Sequence, residues 1–397
     1  MKKILAIETS CDETALAILE FSDSKFSKIE NLEYKIIANS INSQVEIHQK
    51  YGGVYPSLAK REHAKNIVPL FEKILKKAKY VFDDEKELNK EKIERCKIIL
   101  EREPELFEKF EKLIVKINNL NIDLICVTSG PGLEPALWVG INFARAISYY
   151  FDIPMLPVNH MEGHIFSIIK ESQKIEENIF QFPAISLLIS GGHTELVLIE
   201  NIGKYKIIGK TKDDAVGEAF DKVARILNLP YPGGPHISIL ANNARNKNTQ
   251  NNFRLPRPMI KEKNFDFSFS GLKTAVLYLS QKILLEKNIK ELDNETKEAI
   301  ALEFENAVTE VLLLKTKNAL LEHNSNTLII GGGVIANQFI RESFKKIQTN
   351  KTKVFFPEKE LSTDNAVMIG VAGFIKSFSQ NGQVCPEIKA EGNLVLK

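Results

Sequence analysis

The sequence predicts a duplicated α/β fold of two lobes, with a ligand site in the cleft between them. Apolar strands flank a polar tip at residues 11–14 and again at residues 190–194, which indicates two similar hairpins. An apolar strand runs into a glycine loop at residues 124–132 and again at residues 328–337. Because each unit occurs once in each half of the chain, a repeated fold is favoured over four unrelated glycine turns.

The order of these units predicts the domain boundaries. We expect a first lobe at residues 1–156, a second lobe at residues 157–364, and a C-terminal helix and tail at residues 365–397 that pack back on the first lobe. Residues 80–116 alternate charges of both signs and contain few apolar residues, so we expect a helical insertion broken at Pro104. A surface insertion is favoured there over an element that docks a partner.

Composition argues against a membrane protein and against a disulfide framework. The chain of 397 residues is 44% hydrophobic and has no run of about 18 apolar residues. The N-terminal apolar run ends at Glu8 without a small-residue cleavage site, so no signal peptide is expected. The four cysteines are scattered, which suits a reducing cytoplasm. Because the net charge is only +2, a nucleic-acid partner would need a local basic patch.

The first hairpin tip contains two adjacent acids, Asp12 and Glu13. They could hold a metal, orient a water molecule or act as a base, and an ordinary acidic turn is the alternative.

Further along, residues 129–133 join a strand to a helix N-terminus through a glycine loop. Such a loop is a natural anion site, although it lacks the lysine of a Walker A motif.

Two of the seven histidines, His160 and His164, lie four residues apart after a strand-like run. In a helix, this spacing places both imidazoles on one face, where they can bind the same metal ion. The alternative is a pair of unrelated polar residues. Zinc peptidases of the HExxH type share the spacing, but Met161 stands where their glutamate follows the first histidine. Glu162 projects roughly 200° from His160, so a metallopeptidase is disfavoured.

Several residues in the second half have both a binding and a structural interpretation. Asp221 lies on a predicted helix and could accept hydrogen bonds from ribose hydroxyls, while Gly234 lies in a turn that could abut a base or sugar. Aromatic and basic residues alternate at 254–273, which fits either RNA contacts or buried phenylalanines. Asp364 precedes an apolar helix and is either its N-cap or the third ligand of the histidine site.

Ten motifs occur in one order between about residues 3 and 376: ETSCDETA, KYGGVYPSLAKREH, GPGL, VNHMEGHI, ISGGHTELV, AFDKVA, YPGGP, FSFSGLKTAV, GGGVIANQFIR and STDNA. Together they resemble the tRNA threonylcarbamoyladenosine transferase family (TsaD), formerly called sialoglycoprotein endopeptidases, and the resemblance leaves out only the expected insertion at roughly residues 80–116. The resemblance implies the duplicated actin/Hsp70/sugar-kinase (ASKHA) fold with an interlobe active-site cleft. It also implies transfer of the threonylcarbamoyl group from threonylcarbamoyl-AMP to N6 of adenosine 37 in tRNAs reading ANN codons, with release of AMP.

The resemblance also implies roles for individual residues. His160, His164 and Asp364 match the ligands of one divalent metal, Fe2+ with Zn2+ as the alternative. Asp12 and Glu13 match acids needed for activity, and we expect them to position the adenine or accept its N6 proton. The matching adenylate-binding positions are Leu188, Ile189, Ser190, Gly191, Gly192, Asp221, Gly234 and Asn337.

By the same resemblance, the partners are tRNA, an inactive paralogous subunit (TsaB) and a small ATPase (TsaE), with no membrane. A separate enzyme would make the adenylate. An ATPase or sugar kinase of the same fold is the main alternative, and it would release ADP from ATP instead of AMP from an adenylate. A non-catalytic scaffold is disfavoured by the full set of metal and nucleotide positions.

Overall fold

The computed structural model describes residues 1–22, 32–80, 89–169, 181–249, 252–379 and 387–397 of the chain. Their contacts separate into two compact units. The first contains residues 1–48, 364–396 and the described part of 54–178, and the second contains residues 49–53, the described part of 179–363 and Lys397. Each unit has a five-stranded sheet and a hydrophobic core, so the predicted pair of α/β units is confirmed.

The strands in chain order are β1 (Lys2–Glu8), β2 (Glu13–Phe21), β3 (Tyr34–Ser43), β4 (Leu124–Gly130), β5 (Met155–Asn159), β6 (Ala184–Ile189), β7 (Thr194–Asn201), β8 (Lys204–Lys210), β9 (Thr327–Gly331) and β10 (Lys353–Phe355). The helices are α1 (Val45–Gln49), α2 (Pro56–Lys77), α3 (Lys90–Ile99), α4 (Pro104–Ile114), α5 (Glu134–Phe151), α6 (His160–Phe166), α7 (Val216–Ile226), α8 (Gly233–Asn246), α9 (Ser270–Glu286), α10 (Asn294–Glu322), α11 (Gln338–Lys345) and α12 (Ala366–Ser379). Within the described part of the chain, none of these helices combines the length and apolar character needed to cross a membrane.

The two sheets have the same strand connectivity. The first has the order β3-β2-β1-β4-β5, and the second, counted from its other edge, has the order β8-β7-β6-β9-β10. In each sheet the first three strands form an antiparallel meander, and the other two are added in parallel beside the first strand. This repeat of order and direction supports the duplication that the paired hairpins and glycine loops predicted.

The central strand β1 is apolar on both faces because helices cover both sides of the first sheet. Leu5 and Ile7 belong to the same core as α2 and α5. Ala6 points the other way and lies next to Gly370 of α12. A continuous buried run from Ile4 to Ile7 is therefore expected of this strand.

The segment expected to be a charged insertion forms two helices that belong to the first unit. Asn89 caps α3, since its side chain accepts a hydrogen bond from the Lys92 N–H at 3.1 Å. The expected break at Pro104 is the start of α4, where a missing N–H removes no helical hydrogen bond. Both helices bury one apolar side in the core. The charge run at residues 83–87 lies outside the described residues.

Helix α12 lies very close to the first sheet, and two glycines permit this. A Cβ atom on Gly373 would lie 2.8 Å from the Cβ of Cys126 and closer still to its sulfur. A Cβ atom on Gly370 would overlap the side chain of Leu19. Because Asp364 comes just before α12, this packing also fixes where its carboxylate is placed.

We expect Gly373→Ala to destabilise the protein by about 1–3 kcal/mol, because the added methyl group overpacks the contact with β4. Helix propensity alone would favour alanine by about 1 kcal/mol. Urea unfolding followed by circular dichroism measures the change. Gly271→Ala in α9 is the control, since open space surrounds that position and no loss is expected. Equal stability of Gly373→Ala and wild type would contradict the close packing.

Candidate functional site

Strand β5 ends at Asn159, and α6 begins directly after it. The Asn159 side chain caps the helix by accepting a hydrogen bond from the Met161 N–H at 2.9 Å. The helix carries His160 and His164 with ring centroids 4.7 Å apart and the rings nearly perpendicular. His160 is 6% exposed and His164 is fully buried. The two histidines therefore share one helix face, as their spacing predicted, and both belong to the first unit.

Asp364 approaches this pair from the segment that precedes α12. Its Oδ1 lies 3.4 Å from Nε2 of His160 and 3.2 Å from Nε2 of His164. The alternative role of Asp364, as N-cap of α12, is filled by its neighbour. Asn365 Oδ1 accepts the hydrogen bond from the Met368 N–H at 3.0 Å. The Asp364 carboxylate therefore faces the histidines.

The three side chains fit a divalent metal. One donor atom from each lies within 4.8 Å of the others, as ligands of one ion must. Neither ring nitrogen of His164 makes a hydrogen bond of good geometry to any described residue, although the ring is fully buried. Such an unsatisfied polar group costs about 1–3 kcal/mol. Burial also lowers the pKa of His164, which keeps its imidazole in the neutral form that binds metals.

Glu8, which the sequence did not single out, holds His160 in the orientation needed for a ligand. Its side chain is fully buried at the end of β1. Its Oε2 accepts hydrogen bonds from Thr128 Oγ1 at 2.6 Å and from His160 Nδ1 at 3.0 Å, and its Oε1 accepts one from the Ser10 N–H. With the proton on Nδ1, the lone pair of Nε2 faces Asp364. The only sequence signal was an acid within an apolar strand.

The charges of this cluster act on one another. Burial, the largest effect, raises the pKa of Glu8, but the adjacent His160 lowers it, and the net shift is downward. Burial likewise lowers the pKa of His160, yet the carboxylates of Asp364 and Glu8 raise it well above its ordinary value. Glu8 and Asp364 thus favour a positive charge on His160. A metal ion bound to His160 would place a positive charge in the same region.

The acidic hairpin tip lies in the same unit as the histidine pair. Ser10 Oγ at its start is 3.2 Å from His160 Nδ1. Glu13 Oε1 accepts a hydrogen bond from Ser43 Oγ at 3.2 Å. Burial raises the pKa of Asp12, and burial together with the charge of Asp12 raises the pKa of Glu13 well above its ordinary value. Asp364 adds to both shifts, so the fold brings the two acids into the field of the histidine site.

In the glycine loop at residues 129–133, two backbone N–H groups make hydrogen bonds within the protein and are not available to an anion. The Leu133 N–H donates to the Ser10 carbonyl at 2.7 Å, and the Gly132 N–H donates to the Gly392 carbonyl at 3.1 Å. The expected anion site at this loop is therefore wrong. The loop instead fixes the start of the hairpin tip, and the C-terminal segment fixes the loop.

In the second unit, the tip of the β6–β7 hairpin is open at its glycines. Open space surrounds the positions that a Cβ atom would take on Gly191, Gly192 and Gly234. The Ser190 N–H donates to the His193 carbonyl at 2.9 Å, which closes the turn. Leu188 and Ile189 are fully buried in β6 and pair with β7, so their side chains belong to the core.

Two other predicted ligand positions of the second unit also have structural bonds. Asp221 Oδ1 accepts a hydrogen bond from the Gly233 N–H at 2.7 Å and so fixes the start of α8. Asn337 caps α11 through the Ile340 N–H at 3.0 Å, while its Nδ2 donates to Glu305 Oε1 at 2.6 Å. Both side chains are therefore held in fixed orientations by the protein.

The aromatic and basic run at residues 254–273 does not form an RNA-stacking surface. Phe265, Phe267 and Phe269 are buried in the core of the second unit. The neighbouring polar groups bind Asp213, whose Oδ1 accepts hydrogen bonds from the Phe269 and Ser270 N–H groups at 2.8 and 3.2 Å. The structural interpretation of this run is the correct one.

The chain is similar to known proteins along most of its length. The family model for TsaD, tRNA N6-adenosine threonylcarbamoyltransferase, matches residues 35–87 and 106–371, and the gap between them contains α3. The tRNA N6-adenosine threonylcarbamoyltransferase of Thermosipho africanus is 41% identical over 372 residues, covering 94% of this chain and 93% of the relative. That of Persephonella marina is 39% identical over 384 residues, covering 96% and 91%.

A solved structure supports the fold. Full-length HypF in its phosphate- and nucleotide-bound form matches with a TM-score of 0.50 and 12% identity, over 96% of this chain and 47% of that one. This likeness concerns the fold alone, and the predicted duplicated actin/Hsp70/sugar-kinase-like fold is confirmed.

The match of the family model, with two relatives near 40% identity over almost the whole chain, shows that the chain belongs to the tRNA N6-adenosine threonylcarbamoyltransferase (TsaD) family.

Proposed function

We propose that the protein transfers the threonylcarbamoyl group from threonylcarbamoyl-AMP to N6 of adenosine 37 in tRNAs that read ANN codons, with release of AMP. The observation that carries the proposal is the group of His160, His164 and Asp364 in the field of the acidic hairpin tip. Membership of a transferase family supports the reaction type. An ATPase or sugar kinase of the same fold is not favoured, because the relatives are named as threonylcarbamoyltransferases and not as enzymes that hydrolyse ATP or transfer its phosphoryl group.

His160, His164 and Asp364 are the proposed ligands of one divalent metal, with Fe2+ as the first candidate and Zn2+ as the second. Two imidazoles and one carboxylate suit these ions and leave coordination positions open. When bound, the ion supplies Lewis acidity toward a carbonyl or phosphate oxygen. Glu8 supports the site because it holds the Nδ1 proton of His160 and so directs Nε2 toward the other ligands.

The acidic tip is the proposed source of proton transfer. In the reaction, N6 of adenine forms a bond to the carbamoyl carbon, and the bond from that carbon to the phosphate oxygen of AMP breaks. N6 loses a proton as its new bond forms, so a nearby base promotes the step. Asp12 and Glu13 are the candidates to position the adenine or to accept this proton. Burial raises the pKa of both carboxyls, which makes each a stronger base once ionised.

The second unit is the proposed binding site of the adenylate. Its backbone N–H groups at the glycine tip suit phosphate oxygens, and the Asp221 carboxylate suits ribose hydroxyls. Support comes from the open space at Gly191, Gly192 and Gly234 and from the fixed side chains of Asp221 and Asn337. Leu188, Ile189 and Ser190 complete the proposed set.

The proposed macromolecular partners follow from family membership. They are the substrate tRNA, the inactive paralogous subunit TsaB and the small ATPase TsaE, all in the cytoplasm. The low net charge of +2 indicates that the tRNA is held by a local surface or with the help of these partners.

The reaction itself is tested with purified protein, unmodified tRNA, threonylcarbamoyl-AMP and the partner proteins. We expect threonylcarbamoyl-adenosine in the digested tRNA by mass spectrometry, and AMP in equal amount. His160→Ala is expected to abolish the product because the metal loses a ligand. Absence of product from wild type, with intact adenylate and all partners present, would sink the proposed function.

Glu8→Gln is expected to weaken metal binding by about 10- to 100-fold, because it removes the charge that orients and polarises His160. Anaerobic titration of the metal-free protein with Zn2+ or Fe2+ measures this directly, without any activity assay. Glu20→Gln is the matched control, since Glu20 lies on β2 and its carboxylate is 3.9 Å from Lys3 Nζ. Equal affinities of Glu8→Gln and wild type would remove Glu8 from the site.

Asp12→Asn and Glu13→Gln are expected to lower kcat by about 10²–10⁴-fold if the substituted acid accepts the N6 proton. Metal content should stay unchanged, since neither residue is a proposed ligand. Single-turnover assays with preformed adenylate isolate the transfer step. If both variants transfer at the wild-type rate, neither acid has the proposed role.

A further inference from the structure

Two buried histidines of the first unit lie outside the proposed metal site. His48 on α1 and His63 on α2 are both fully buried. Neither is among the residues that the sequence or the proposed function assigned to the site. Both are hydrogen-bonded close to the acidic hairpin tip, which makes them candidates for a role in the reaction.

The ring of His63 makes one hydrogen bond to the residue before Asp12 and another to the residue after Glu13. Its Nε2 lies 2.9 Å from the Cys11 carbonyl oxygen, and because a carbonyl only accepts, Nε2 carries the proton. Its Nδ1 therefore accepts a hydrogen bond from Thr14 Oγ1 at 2.7 Å. Burial lowers the pKa of His63 to about 4, so the ring stays in this neutral form near pH 7. One rigid ring thus fixes the residue before the acid pair and the residue after it.

A second contact holds the backbone of Asp12 itself. The Gln44 N–H donates to the Asp12 carbonyl at 3.0 Å. Gln44 is fixed in turn by His48, whose Nε2 lies 3.1 Å from Gln44 Oε1. The Tyr55 N–H donates to the other nitrogen of His48 at 3.3 Å, which sets the ring so that Nε2 is the donor. The backbone of the tip is therefore held from α1 and α2, at Cys11 and at Asp12.

We propose that His63 is a positioning residue for the transfer reaction, which holds the Asp12–Glu13 tip in the geometry that the transfer step needs, with His48 supporting it through Gln44. The proposal rests on the proposed function of the two acids. Displacement of a catalytic group by about 1 Å can cost about 10²-fold in rate, so fixing this short turn has a direct effect on chemistry. Asp12 lies in the bend before β2, and Glu13 is the first residue of β2, where the pairing with Ser43 begins, so the imidazole adds a restraint at the very end of the sheet.

The test compares His63→Phe, which removes both hydrogen bonds, with His63→Gln, whose amide N–H reaches toward the Cys11 carbonyl. We expect His63→Phe to lower kcat by about 10- to 100-fold, with the KM for threonylcarbamoyl-AMP and the metal content unchanged. His63→Gln should recover part of the rate. Thr14→Val, which removes only the Nδ1 partner, should give an intermediate loss. His323→Phe in the second unit is the control and should behave as wild type.

A second readout reports the order of the tip without any activity assay. Cys11 is partly exposed, whereas Cys96 and Cys126 are fully buried, so alkylation of the Cys11 peptide followed by mass spectrometry reports on the tip. We expect the Cys11 thiol of His63→Phe to react severalfold faster than that of wild type, and His63→Gln to lie between them. Thermal melting of each variant shows whether the fold is retained.

These outcomes separate the two proposals. If wild type makes no modified nucleoside, the proposed function fails, while the alkylation rates still show whether His63 holds the tip. A wild-type alkylation rate in a folded His63→Phe protein would overturn the positioning role. So would faster alkylation with an unchanged kcat, because the tip would then be loosened without consequence for the reaction. If His63→Phe does not fold, the same comparisons between His63→Gln, Thr14→Val and wild type decide.

Discussion

The arrangement of the candidate site depends on the buried carboxylate of Glu8. A fully buried charge is costly unless hydrogen bonds or an opposite charge compensate it. Here the donors come from three places: Ser10 of the hairpin tip, Thr128 of β4 and His160 of α6. Displacement of any one would leave part of the charge uncompensated, so Glu8 fixes tip, sheet and helix to one another. The central place of β1, between β2 and β4, makes these three contacts possible.

The duplicated scaffold presents two different kinds of chemical group at equivalent strand ends. In the first unit, the carboxyl ends of β1 and β5 lead to the acids of the tip and to the histidines of α6. In the second unit, the equivalent end of β6 leads to a tip of serine and two glycines, whose exposed backbone is open to a ligand. The same strand order therefore presents acidic and imidazole side chains that could hold a metal in one copy, and bare backbone in the other. The shared topology fixes only the positions of the side chains, and the residue types at those positions determine the chemistry.

The features that the sequence predicted are those carried by local patterns. Apolar strand runs, paired tips and the four-residue spacing of His160 and His164 act over a few residues, and the structure reproduces them. Whether Asp364 caps α12 or faces the histidines was not decidable locally, since Asp is a good cap and the structure shows that the neighbouring Asn365 takes that role instead. The importance of Glu8 and the closed glycine loop at 129–133 depend on distant partners that no local pattern shows. The buried phenylalanines near residue 267 were ambiguous for the same reason.

The proposed metal ligands and the acidic hairpin tip influence each other through their charges. Glu8, Asp12, Glu13 and Asp364 have no lysine or arginine as an ion-pair partner among the residues that the structure describes. Burial and the charge of Asp364 raise the pKa of both Asp12 and Glu13, and the charge of Asp12 raises that of Glu13 further, which disfavours their ionised, basic forms. A divalent ion bound by two neutral imidazoles and one carboxylate retains one positive charge, whereas three carboxylates would leave a negative one. In the proposed reaction, two histidines and one aspartate would therefore leave the bound ion with a positive charge that stabilises the ionised tip, and Glu8 would orient His160 without acting as a ligand.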